Sequence, residues 1–83
     1  MFRIKDTARG EKLQFTLPTL VDGRVYRLEI MTPDGKLAYR HVFDRKQIMP
    51  VRSIAYNEPA GTWNAALTDV ATGLTTKVQF KVK

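Results

Sequence analysis

Apolar side chains recur at every second residue along most of this chain. That spacing puts one face of a β-strand against a core and the other in water. Phe2 and Ile4 point one way, Arg3 and Lys5 the other. Leu13, Phe15 and Leu17 alternate with Lys12, Gln14 and Thr16. Tyr26, Leu28 and Ile30 alternate with Arg27 and Glu29, and Tyr39, His41 and Phe43 face away from Arg40 and Val42. Ile48 to Tyr56 is less regular, and Pro50 marks it as an edge strand or a bulge, because proline cannot donate to a ladder. Trp63, Ala65 and Leu67 form the next inward series. Thr76, Val78, Phe80 and Val82 form the last, with Lys77, Gln79 and Lys81 facing out.

Turn chemistry separates these runs. Thr32-Pro33-Asp34-Gly35 suits a type I turn, in which Pro33 presets φ and Gly35 takes the left-handed position that follows. Asp22-Gly23 precedes the Tyr26 strand, and Asn57 to Gly61 separates two runs. Asp69 to Gly73 closes a final hairpin, where the Asp69 carboxylate can accept a backbone N–H two residues on. Ala8 to Gly10 and Pro18 to Gly23 read as loops. No window carries a helical stripe. About seven short strands with frequent turns predict an all-β antiparallel sandwich or barrel, with no helix longer than about a turn.

The length of 83 residues allows one domain, 1–83, read here as cut from a longer chain with Met1 as an added start. The opening residues alternate, where a signal peptide would run apolar. No stretch approaches the ~20 apolar residues of a membrane-spanning helix, so no membrane insertion is expected. The chain has no Cys, which excludes disulfides and thiolate metal sites and fits cytosol or periplasm equally. Fourteen basic residues against 8 acidic give a net charge of +6, which attracts polyanions at long range. The basic residues are spread from Arg3 to Lys83, the pattern of a solubilising surface more than of a nucleic-acid reader.

Tyr26-Arg27-Leu28-Glu29-Ile30, Pro33-Asp34-Gly35-Lys36, Asn57-Glu58-Pro59-Ala60-Gly61-Thr62-Trp63 and Thr68-Asp69-Val70-Ala71-Thr72-Gly73 occur in that order. This series resembles the immunoglobulin-like β-sandwich modules of large extracytoplasmic bacterial proteins, including multidomain glycoside hydrolases. It is also similar to the sandwich domains of macroglobulin-type proteins. The resemblance covers about two thirds of the chain, and the first twenty-odd residues lie outside it. It implies an immunoglobulin-like sandwich, an extracytoplasmic (periplasmic or secreted) setting, and a supporting role: spacing, packing against neighbouring domains, assembly or carbohydrate contact. It brings no catalytic residues, and the chain lacks the paired Cys of antibody-type domains.

The residues themselves offer little chemistry. His41 is the only His and Ser53 the only Ser, and no Gly-x-Ser-x-Gly elbow or glycine-rich phosphate loop occurs. His41 sits in an alternating run beside aromatic residues and reads as a half-buried strand residue. Asp22, Asp34, Asp44, Glu58 and Asp69 each stand beside a turn and read as turn residues, not as metal ligands. No cofactor and no metal are expected. Trp63 reads as a core anchor, since small Ala residues on its face leave room for an indole. Its other reading is an exposed platform for a sugar ring or a base. Tyr39 and Tyr56 are candidate stacking surfaces. Arg27, Arg40, Lys77 and Lys81, with Lys83, are candidates for a cationic face, or for an outer sheet face guarded by Lys against edge pairing.

The expected function is a non-catalytic structural or interaction module of a larger secreted or periplasmic bacterial protein, partnered by neighbouring domains. Two alternatives are a carbohydrate-binding module built on exposed rings and, behind it, a basic nucleic-acid binder of OB type.

Overall fold

A computed structural model describes residues 2–46 and 53–83. Those residues form six strands and no helix: β1 (Arg3–Ile4), β2 (Phe15–Thr16), β3 (Val25–Met31), β4 (Leu37–Asp44), β5 (Gly61–Asp69) and β6 (Thr75–Val82). They build two antiparallel sheets, a four-stranded one in the order β4-β3-β5-β6 and a two-stranded one of β1 and β2. The irregular run from Ile48, with Pro50, lies mostly outside the described residues. Its end is visible, where Ser53 bridges Lys12.

Local chemistry explains both long hairpins. Between β3 and β4 the Thr32 carbonyl accepts the Gly35 N–H at 2.9 Å, and Gly35 takes φ +84°, the left-handed conformation that a Cβ disfavours. A bulge follows. Ile30 pairs with Tyr39 but Met31 with Leu37, so Ala38 falls between paired positions. Between β5 and β6 the Asp69 carboxylate accepts the Ala71 N–H at 3.0 Å, and its carbonyl accepts the Gly73 N–H at 2.7 Å. Asp69 also takes an ion pair from Arg24 at 3.0 Å, tying this hairpin to the approach of β3. The turn at Asp22-Gly23 closes with the Arg24 N–H on the Val21 carbonyl at 3.3 Å.

The alternating positions converge on one side of the large sheet. Tyr26, Leu28, Ile30, Phe43, Trp63, Leu67, Phe80 and Val82 are buried there. Phe2, Ile4, Leu13 and Ile54 cover them from the N-terminal segment and the β4–β5 connection, with Phe15, Leu17 and Leu20 half-buried around the margin. The expected strand from Leu13 to Leu17 shrinks to Phe15–Thr16, although Leu13 is buried. Side-chain burial here outlasts the ladder, so alternation persists where pairing does not. Thr76 sits on the inner side opposite Leu67 but is exposed.

One edge of the sheet is partly covered by the chain itself. Residues 6–9 run parallel to the end of β6. Thr7 N–H donates to the Lys81 carbonyl at 2.9 Å, Lys83 N–H to Thr7 at 3.0 Å, and Arg9 N–H to Lys83 at 3.3 Å. The Asp6 carboxylate accepts the Lys81 N–H at 2.9 Å.

Candidate functional site

With the inner face packed, the other face of the four-stranded sheet is the surface that the same alternation leaves outside. β3 contributes Arg27, Glu29 and Met31, and β4 contributes Arg40 and Val42. Asn64, Ala66 and Thr68 come from β5, and Lys77, Gln79 and Lys81 from β6. Register sets their order. Arg40, Glu29, Ala66 and Lys77 form one row across all four strands, and Leu37, Met31, Asn64 and Gln79 form the next.

Arg27, Arg40, Lys77 and Lys81 are therefore brought to one face. They are not an unbroken cationic patch, because Glu29 lies between the two arginines. Its carboxylate accepts from Arg40 Nη2 at 2.9 Å and Nε at 3.2 Å, and from Arg27 Nε at 3.0 Å. The hydrogen bond from Arg40 holds the Glu29 carboxyl below its ordinary value of 4.5. The positive charge of Arg27 adds to this, and partial burial works against it. Lys77 and Lys81, across Ala66 from this triad, make no ion pair with a described residue. The face thus has an arginine side whose charge Glu29 halves and a lysine side with no such partner.

Because the folded-state value is depressed, Glu29 contributes stability above the unfolded value of 4.5, and that contribution disappears as pH falls through the folded value. Glu29→Gln is expected to cost less than about 1 kcal/mol at neutral pH, the range of exposed ion pairs. The gap between variant and parent urea midpoints should narrow as pH is lowered from neutral to below 4.5, because the parent carboxyl protonates as pH falls through its depressed folded value. An equal gap at both ends of that range would show that the charge on Glu29 is not what matters.

Small residues hollow the centre of the face. A depression of about 180 Å³ is lined by Met31, Gly35, Asn64, Ala65, Ala66 and Lys77. A second, of about 450 Å³, is lined by Asn64, Lys77, Val78 and Gln79, towards the β6 edge. Gln79 Nε2 donates to Asn64 Oδ1 at 3.1 Å, which orients both amides between the two hollows. An apolar floor with an amide pair and a cation beside it suits an extended chain carrying a carboxylate. Met31, Asn64, Ala66 and Gln79 were not singled out in the sequence. Their outward parity was readable, but which strands lie side by side was not.

The other candidates lie elsewhere. Tyr39 is on the inner side, half-buried, in a file with His41 and Phe43 whose ring centroids are 6.2 and 5.8 Å apart. One residue of offset from Arg40 decides this, since neighbours on a strand point to opposite faces. As a ligand platform Tyr39 is therefore displaced by its own strand parity, and His41 is a stacked strand residue as its run predicts. Tyr56 is 80 % exposed, in the β4–β5 connection, with its ring over Gly10; a Cβ at Gly10 would lie within 3 Å of that ring. Tyr39 and Tyr56 do not form a joint stacking surface. Trp63 is fully buried, 6.1 Å from the Phe80 ring, with its indole N–H on the Pro59 carbonyl at 2.9 Å.

The carboxylates serve turns and ion pairs. Asp44 accepts the Lys46 N–H, Glu58 the Ala55 N–H and Asp69 the Ala71 N–H, while Asp22 pairs with Arg45 at 3.1 Å. Asp34 accepts from the Thr32 hydroxyl, which holds its carboxyl below the ordinary range. Among the described residues no three His, Asp or Glu side chains cluster as a metal site would require. No family model, no curated protein and no solved structure matches this chain.

Proposed function

We propose that this chain is a non-catalytic interaction module, an immunoglobulin-like sandwich serving a larger secreted or periplasmic bacterial protein, and that it works through the outer face of its large sheet. One observation carries the reading. Every long alternating run turns its apolar side towards one core, and the opposite side gathers Arg27, Arg40, Lys77 and Lys81 on one face, where Lys77 lines an apolar-floored hollow. The only His is stacked between two aromatic rings, a packing role and not the approach a general base needs. The indole that would serve a carbohydrate-binding module is inside. The partner fitting this face is an acidic surface, such as that of a neighbouring domain.

Isotope-labelled protein titrated with polyglutamate, neutral oligosaccharides and single-stranded DNA tests the reading. Polyglutamate is expected to shift the resonances of Arg40, Lys77 and Gln79 and to lose most of its affinity between about 50 and about 300 mM salt, as screening and counterion release require. DNA should bind no more tightly than polyglutamate and without sequence preference. Saturable oligosaccharide binding at Tyr56, or a DNA complex that survives the higher salt, would replace the proposal with the corresponding alternative. Hydrolytic turnover abolished by His41→Ala would end the non-catalytic reading.

A further inference from the structure

We infer that the free part of the β6 edge, Thr75 to Gln79, is a strand-addition site for an extended acidic segment of a partner protein. The inference deepens the interaction reading above by naming the kind of partner and how it is held.

The chain already shows what this edge accepts. At its far end, Lys81 and Lys83 turn their backbone groups outwards to residues 6–9, and the first group met there is the carboxylate of Asp6. Backbone direction alternates along a strand, so Thr75, Lys77 and Gln79 turn their N–H and C=O groups to the same side. Among the described residues none bonds to them there. Among the described residues the ladder is thus half occupied, and these backbone groups are the ones a strand added beside β6 would pair.

Side chains specify the occupant. An added strand would alternate one residue beside Lys77 on the outer face with the next beside Val78 on the inner side. The outer positions therefore take Asp or Glu, and the inner ones take apolar residues that extend the half-buried margin at Val78. The hollow lined by Asn64, Lys77, Val78 and Gln79 lies at this edge. A second copy of β6 is a poor occupant, because antiparallel pairing centred on Lys77 sets lysine against lysine.

The test uses a capped peptide of about ten residues, alternating Glu and Val, added to the intact chain. Binding is expected, with the Thr75, Lys77 and Gln79 amides gaining protection from hydrogen exchange, and Lys77→Glu should weaken it. N-methylating one alternate set of peptide amides should reduce affinity more than about tenfold, since that set faces β6. Methylating the other set should change little. An antiparallel strand is blocked at its Glu amides and a parallel one at its Val amides. Binding indifferent to both sets would overturn the strand-addition proposal while leaving the charged face as the interaction surface. No binding of the peptide, where polyglutamate still binds, would overturn it likewise. A concentration-dependent dimer that protects the same amides without peptide would assign the edge to a second copy instead.

Discussion

Trp63→Ala is expected to leave the chain largely unfolded at room temperature. The indole is fully buried between the core layer and the turn before β5, beside Phe80. Its N–H also bonds the Pro59 carbonyl, which fixes the approach of the β4–β5 connection to the sheet. Truncating a buried Trp costs about 3–5 kcal/mol through lost burial and the cavity left behind. A domain this small holds about 5 kcal/mol in total, so most or all of the margin disappears. Thr75→Ala, exposed on the opposite face with a hydroxyl contact to Thr68 at 3.0 Å, is expected to cost under about 1 kcal/mol. Urea unfolding of the two variants beside the parent separates these outcomes. A Trp63→Ala midpoint equal to the parent's would place the ring outside the core.

The second large effect is expected at Ile54. This residue stands in the connection between β4 and β5, outside any strand, yet its side chain is 0 % exposed. Its backbone is fastened to the N-terminal segment on both sides, with N–H on the Glu11 carbonyl at 3.1 Å and C=O accepting from Gly10. Ile54 therefore joins three parts of the chain: the sheet beneath it, the connection and residues 10–12. Ile54→Ala should cost about 2–5 kcal/mol, comparable with a strand position. Tyr56→Ala, two residues on and mostly exposed, should cost far less. A small loss for Ile54→Ala in urea unfolding, no larger than that for Tyr56→Ala, would mean that the covering layer adds little to the core.

Ile54 also shows where reading by period falls short. Around it the alternation is broken, so nothing local separates a buried connection from an exposed loop. Burial there depends on the crossing from β4, at one edge of the sheet, to β5, which lies beyond β3. A chain that must pass over a sheet covers a core face wherever it carries an apolar side chain. The short β1 and β2 make the same point from the other side. Phe2, Ile4, Leu13 and Phe15 alternate as strand residues do, but only two residues of each run pair. Their apolar side chains answer to the sheet beneath them more than to each other.

The proposed interaction surface is legible in part from the sequence. Arg27, Arg40, Lys77 and Lys81 share an outward parity that can be counted along each strand, and the structure does gather them. Tyr39, a candidate stacking surface in the sequence, shares the parity of His41 and Phe43, and the structure places it with them on the inner side. What could not be counted was the place of Glu29 between the arginines, or the hollow over Ala66. Both depend on β3 lying between β4 and β5, a pairing between residues far apart in the chain.

The identity of the four long strands, the hairpin turns at Thr32–Gly35 and Asp69–Gly73, and the inward face of each long run follow from residues within a few positions of one another, and all were present in the order of amino acids. Side-chain period and turn conformation are local properties of the backbone, so local sequence suffices for them. Strand order, register, the half-covered edge of β6 and the burial of Ile54 come from contacts across dozens of residues. Several pairings would satisfy the same local pattern there, and the shared packing of Trp63, Phe80, Leu28 and their neighbours selects among them.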